Sequence, residues 1–306
     1  MADPLAEMVS LLQPSAGYFK MVAAAGRWRL RRTEYDEPFY GVVLEGTYRL
    51  AVDGHPPVVL REGDFVLIPA ALDFTMTSFD PPPDDTQSLP QALGQGEYRI
   101  GPPDEPVNVR SLVGHCVLAS PDADLLVSLL PQFLHIRDQK RLTTLVELVG
   151  EESRAQRPGR SIVITRLLEV IFIEALRSTP AGKEMPGLLR GLADERVAAA
   201  LRRMHEKPGH AWTVPELASE AALSRSAFFE RFRQTVGVAP MEYLLAWRMA
   251  LAKDLLKRGT ATIADVAARV GYSSASTFSV AFARFAGVPP SRYVGDVVAG
   301  SSVALV

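Results

Sequence analysis

The sequence is poor in cysteine, in clustered histidine and in long apolar runs, and each shortage excludes a class of function. A single cysteine, Cys116, stands among 306 residues, so neither an internal disulfide nor a cysteine-cluster metal site can form. A reducing compartment is implied, and Cys116 is expected as a small buried apolar residue in a strand. The five histidines, His55, His115, His135, His205 and His210, are isolated from one another, without the close spacing of a metal-ligand set. No apolar stretch approaches the roughly 18 residues that cross a membrane. Asp3 and Glu7 also stand where a secretory leader would carry Lys or Arg. A cytoplasmic protein without metal, cofactor or catalytic residues is expected.

What the sequence does have is enough apolar content, 47%, and enough length, 306 residues, for two domains, each with its own core. The net charge of −2 conceals an asymmetry. Residues 194–296 carry 14 Lys and Arg against 10 Asp and Glu, while the remainder carries 19 against 25. The basic end is the candidate for nucleic acid, although an excess this small also suits a solvated helical surface.

Three stretches differ in texture. From about Arg27 to Ser78, short β-branched and aromatic runs such as FYGVVLEGTYRLAV and FVLIP alternate with Gly, Pro and Asp, the pattern of strands. Residues 79–109 are rich in Pro, Gly and Asp and are expected as a long loop, followed by a strand at SLVGHCVLA. From Asp124 to Arg177 the period becomes helical. The stripe of Ile164, Leu167, Leu168, Ile171, Phe172, Ala175 and Leu176 is too wide for a lone surface helix, so the pair either packs on the barrel or forms a dimer seam, the seam being preferred. STPAGKEMPG, from Ser178 to Gly187, is the expected interdomain linker.

The last hundred residues repeat. TVPELA at Thr213 returns as TIADVA at Thr262, 49 residues on, and Ser224, Phe228, Phe232 and GVAPMEY return as Ser274, Phe278, Phe282 and GVPPSRY, 50 residues on. Each copy reads as helix, tight turn, helix. Thr213 with Glu216, and Thr262 with Asp265, have capping-box spacing. Leu217–Ala218 and Val266–Ala267 place a small residue where a second helix packs closely. Gly271 supplies a left-handed residue at the second turn, where the first has Ala222, at a strain of about 1 kcal/mol if the geometry is shared. Ser224 and Ser274 are N-caps of the following helices, whose outer faces carry Ser224, Arg225, Ser226, Phe229, Glu230 and Arg233 in one copy and Ser274, Ala275, Ser276, Thr277, Ser279 and Val280 in the other. All of these but Val280 are the expected DNA-facing residues, because the second helix of such a unit enters the major groove. Between the copies, Met241 to Lys257 reads as one helix of about 26 Å, with Leu244, Leu245, Met249 and Leu255 inward and Arg248, Lys253, Lys257 and Arg258 outside. That length suits two recognition helices in major-groove segments about 34 Å apart.

In ELASEAALSRSAFFERFRQTVGVAPMEYLLAWRMALAKDLL and IADVAARVGYSSASTFSVAFARFAGVPPSRY the chain resembles the DNA-binding domain of AraC/XylS-type transcription regulators. WRLRRTEYDEPFYGVVLEGTYRLAVDG, LREGDFVLIPAAL and QRPGRSIVITRLLEVIFIEALR resemble the cupin-like sensor half of one branch of that family. The resemblance implies an α+β multidomain protein: an N-terminal cupin-like β-barrel (1–123) with a helical segment (124–177), a linker (178–193), an all-α domain of two helix-turn-helix units (194–296) and a tail (297–306). It implies a sequence-specific regulator whose partners are double-stranded DNA, a small organic effector, RNA polymerase where it activates, and a second copy of itself. The chain departs from the family at Val280 and Ala283, where basic residues are common, and at Tyr40 and Asp73, where relatives often carry histidine. The first unit is therefore expected to contribute more affinity.

A cupin barrel can enclose a small molecule. The candidate effector-binding residues are Trp28, Arg29, Tyr40, Val42, Leu44, Tyr48, Phe65 and Phe74, with Leu30, Leu67 and Arg49 as further interior candidates. Two other readings stay open: a cupin-type enzyme or sensor that does not act on DNA, and a regulator controlled by a protein partner rather than a metabolite.

Overall fold

Asp3 followed by Pro4 starts a helix. The Asp3 carboxylate accepts the backbone N–H groups of Leu5 and Ala6 at 3.1 and 3.3 Å. Pro4 has no N–H to leave unsatisfied in the first turn, and α1 (Pro4–Leu12) follows. The structure is a computed structural model that describes residues 3–33, 37–70, 72–84, 86–120, 123–155, 157–178 and 187–294. Two compact units emerge, one built on the strands after residue 12 and the helices that follow them, the other on the C-terminal helices together with α1.

In the first unit, β1 (Pro14–Ala25), β2 (Arg29–Arg32), β3 (Phe39–Val52), β4 (Val58–Arg61), β5 (Phe65–Ile68), β6 (Phe74–Ser78), β7 (Gln91–Gly94), β8 (Glu97–Ile100) and β9 (Val107–Leu118) precede β10 (Leu134–Ile136), and the intervening α2 (Ala123–Ser128) is divided between the units at Leu125. The helices α3 (Lys140–Ala155) and α4 (Arg160–Arg177) follow. One layer runs β10-β5-β3-β9-β1-β8-β7, while β4 and β6 pair with the far half of β3, and β2 pairs with β6. Thus β3 serves both layers, and the sheet curls into a cupin-like half-barrel. Its change of layer coincides with a bulge opposite β9 between Val43 and Glu45. Gly46 follows with φ of +84°, and a Cβ there would run into the Asn108 carbonyl.

Several elements depart from the sequence expectation. β1 lies upstream of the stretch read as strands, the expected loop at 79–109 contains the hairpin β7–β8, and β10 interrupts the stretch read as helical. The apolar stripe of α4 is spent within the unit. Ile164, Leu168, Ile171, Phe172, Ala175 and Leu176 are buried, and α3 and α4 pack on each other and on β1. Of the linker, 179–186 lies outside the described residues, as does the tail, and 188–193 is helical.

The second unit contains α5 (Leu188–Ala193), α6 (Glu195–Glu206), α7 (Val214–Glu220), α8 (Arg225–Val236), α9 (Pro240–Arg258), α10 (Ile263–Arg269) and α11 (Ala275–Ala286). By its contacts α1 groups with these helices. Its Met8, Val9 and Leu12 are buried. The Glu7 carboxylate accepts from His205 Nδ1 at 2.8 Å, and Tyr243 donates its hydroxyl to His205 Nε2 at 2.7 Å. The His205 side chain is fully enclosed, and its ring lies 4.0 Å from that of Trp247. Burial lowers the pKa of His205 although Glu7 opposes it, so the imidazole stays neutral with its proton on Nδ1.

Candidate nucleic-acid interface and effector cavity

The two repeat copies fold as their caps dictate. Thr213 N donates to Glu216 Oε2 at 2.8 Å and Glu216 N to Thr213 Oγ1 at 3.4 Å. Thr262 and Asp265 exchange the same pair of bonds at 3.0 and 3.1 Å. Ser224 Oγ accepts from Ala227 N, and Ser274 Oγ from Thr277 N, at the starts of α8 and α11. Each such cap is worth about 1 kcal/mol. Leu217, Ala218, Val266 and Ala267 are buried, and Phe228, Phe232, Phe278 and Phe282 are fully so. Both turn residues adopt positive φ, +51° at Ala222 and +87° at Gly271, so the left-handed geometry is shared and Ala222 carries its strain.

With the phenylalanines inside, α8 presents Arg225, Ser226, Phe229, Glu230 and Arg233 to solvent. Neither Arg225 nor Arg233 is paired with an acidic side chain among the described residues, whereas Arg231 is held by Asp194 at 2.7 Å. The face of α11 differs. The Ser274 hydroxyl lies 3.0 Å from that of Ser276 and 2.8 Å from that of Thr277, and Ser279 donates to the Ala275 carbonyl at 2.7 Å. The hydroxyls expected to face DNA are therefore partly engaged in their own helix. Val280 is the most exposed large apolar residue here, at 73%, and the neighbouring Leu245 and Phe285 are also exposed.

The joining helix α9 runs one residue further at each end than expected. Two of its assigned faces are corrected. Leu245 is exposed, and Lys253 is buried beneath the Phe285 ring, 5.3 Å from its centroid. Arg248 is not free on the surface either, since its guanidinium donates to the Pro208 and His210 carbonyls at 2.8 and 2.6 Å. A helix enclosed by a unit on each side buries more than one stripe, so a single inward face could not describe it.

The barrel holds a cavity of about 420 Å³. Its apolar wall comes from residues such as Val22, Leu30, Ile100, Val109 and Val113, and Trp28 and Tyr48 line it as expected. Phe74 belongs to the surrounding apolar core without reaching the wall, and Arg29 is not on the wall although Arg31 and Arg32 are. Tyr40, Val42, Leu44, Phe65 and Leu67 do not line the cavity. Before the bulge, Phe39 and Val43 face inward on β3. After it, Tyr48, Leu50 and Val52 do, so the extra residue exchanges the two faces and a continuous alternation misplaces one half. Tyr40 faces the helical side and shares a second cleft with Val149 and Ile164. Arg49 lies over the Phe79 ring.

Residues unmarked by the sequence reading supply the polar end of the cavity. Lys20 Nζ sits 4.4 Å from the ring centroids of both Tyr18 and Tyr98. Arg32 contacts His115 and donates to the Tyr18 hydroxyl at 3.0 Å. Burial, then Arg32 and Lys20, push the His115 pKa down to about 3, so it is neutral. Lys20, Val22 and Ala24 recur with period two on β1 and all reach this wall, a signal the Gly- and Ala-rich flank obscures. Burial raises the Cys116 thiol pKa, in keeping with an unreactive core residue. Among the described residues no group of His, Cys, Asp and Glu could hold a metal, and no helix is long and apolar enough to cross a membrane.

Residues 3–181 match the cupin family and residues 217–295 the helix-turn-helix domain family. An AraC-like transcription regulator of Streptomyces lividans is 36% identical over 95% of this chain and 97% of its own length. One from Streptomyces antibioticus is 34% identical over 95% and 98%. The regulator AlkR of Acinetobacter baylyi is 25% identical over 95% and 98%. Relatives spanning both units thus carry the names of transcription regulators. The chain belongs to the AraC-like transcription regulators, DNA-binding proteins in which a cupin-like domain precedes a helix-turn-helix domain.

Proposed function

We propose that the chain reads an asymmetric DNA site with α8 and α11 in successive major-groove segments, under the control of a small organic effector held in the barrel cavity. The observation that supports this best is the pair of matched units, each with a buried phenylalanine pair and an exposed outer face, joined by the 19-residue α9. At 1.5 Å per residue that helix spans about 28 Å, close to one helical repeat of DNA. On α8, Ser224, Arg225, Ser226, Phe229, Glu230 and Arg233 contact the duplex, the arginines supplying phosphate or guanine contacts. On α11, Ser274, Ala275, Ser276, Thr277 and Ser279 do so, with Val280 offering apolar contact to thymine methyl groups. The protein catalyses no reaction and works in the cytoplasm as a homodimer, recruiting RNA polymerase where it activates. Because the α4 stripe is used internally, the dimer contact falls to the exposed Leu148, Ile162 and Val163 of the α3–α4 pair. Domain limits of 1–123, 124–177, 178–193, 194–296 and 297–306 are kept for this reading, with α1 transferred to the DNA-binding unit.

The test is selection of duplexes from a random pool by the purified full chain, across a salt series, beside Arg225→Ala and Arg233→Ala. A selected motif bound tightly, weakened by salt and by both substitutions, is the expected result. Absence of selectivity at every salt concentration, with or without candidate effectors, overturns the reading.

A further inference from the structure

We infer that the effector is an organic acid, with an apolar body in the barrel and one carboxylate held by Lys20 and the indole N–H of Trp28. This rests on the effector reading above and gives it a chemical class. The apolar body follows from the cavity wall, where Val22, Leu30, Ile100, Val109 and Val113 offer nothing to a sugar or another polyhydroxylated ligand. The acid follows from charge. Lys20 and Arg32 border the cavity, and none of its described wall residues is acidic; the exposed Arg31 at its edge is paired at 3.9 Å with Asp73, which lies off the wall. Positive groups gathered at a half-enclosed apolar site are costly until an anion joins them, and a cationic ligand would meet repulsion from Lys20 and Arg32.

Trp28 adds an independent observation. It is 3% exposed, and its Nε1 is buried without a hydrogen-bond partner. An unsatisfied buried donor is uncommon, and one on the wall of a cavity is completed by a ligand oxygen. Arg32 is already engaged with His115 and Tyr18, so it adds field rather than a direct bond. Burial and Arg32 both lower the pKa of Lys20, and a bound carboxylate would reverse that tendency. A bare inorganic anion would satisfy the cations but leave the apolar volume unfilled.

The experiment uses the full chain, without DNA, and measures thermal stabilisation and tryptophan fluorescence. Octanoate and naphthoate are titrated beside octanol, naphthamide and acetate. The two larger acids are expected to raise Tm in a concentration-dependent way, while the neutral analogues and acetate do little. Lys20→Gln is expected to weaken acid binding by about tenfold, the effect of losing one charge-assisted hydrogen bond. Trp28→Phe is expected to weaken it by several-fold, and Lys20→Gln carries the test should the Trp28 variant fold poorly. Neutral analogues that bind as well as the acids, failure of both larger acids to bind, or wild-type affinity in Lys20→Gln would each overturn the inference. Acid binding by a protein that selects no DNA would uphold it and sink the regulator reading instead.

Discussion

The two helix-turn-helix units share a frame and differ in chemistry. Caps, turn geometry and the buried phenylalanine pair coincide. Outside that frame, α8 shows two arginines without acidic partners among the described residues, whereas α11 shows an exposed valine and short hydroxyl side chains bound partly to themselves. The same scaffold thus carries two different surfaces. On the proposed reading the first unit supplies electrostatic grip, which salt weakens, and the second shape and methyl contact, which salt leaves alone.

The largest effects test the shared frame. Phe228→Ala and Phe278→Ala should each destabilise the second unit by about 3–5 kcal/mol in denaturant unfolding. A cost below about 1 kcal/mol for either would show that its copy is not a packed unit, and the comparison would fail. Next comes grip. Arg225→Ala with Arg233→Ala should reduce the slope of log affinity against log salt by about one for each phosphate no longer neutralised, whereas Val280→Ala should leave the slope unchanged. A slope change in the valine variant would erase the proposed division of labour.

The turns offer a smaller, sharper contrast. Gly271→Ala should cost more than about 1 kcal/mol, because besides the positive φ a new Cβ would stand 2.8 Å from Arg248 Nη2 and 2.9 Å from the Gly209 carbonyl oxygen. Ala222→Gly should stabilise by up to about 1 kcal/mol through relief of strain. Equal and opposite thermal shifts would mean that only the φ penalty matters. The smallest effect concerns thymine. Replacing thymine by deoxyuridine in the half-site bound by α11 should weaken binding by about 1 kcal/mol or less, and in the Val280→Ala protein that penalty should shrink. An undiminished penalty would remove Val280 from the interface.

How much of this was legible depends on the period of each element. The caps Thr213, Thr262, Ser224 and Ser274, the strained Ala222 and the phenylalanine pairs were all readable, because short helices follow local rules that a single sequence contains. The burial of Lys253 and the exposure of Leu245 were not, since they depend on which neighbours enclose α9. The barrel wall was half legible. One extra residue near Val43 reverses every later side chain on β3, and nothing local announces a bulge except Gly46. The strand β1, PSAGYFKMVAAA, has low intrinsic strand preference and is held by its long pairing with β9, a non-local cause. The helix α1 is signalled by Asp3-Pro4 and the spacing of Met8, Leu11 and Leu12, a short pattern.

That helix carries a consequence for how the molecule is made. Glu7 and the histidine it binds are separated by 198 positions, so α1 leaves the ribosome long before the helices it completes exist. Until then Glu7 lacks the histidine it holds, and the strands of the sheet unit emerge before this contact can form. A C-terminal fragment expressed alone lacks the carboxylate that orients His205, so it reports on an unfinished unit. Supplying α1 as a separate peptide is the natural remedy, because contacts of such high sequence separation gain nothing from the chain that joins them except concentration.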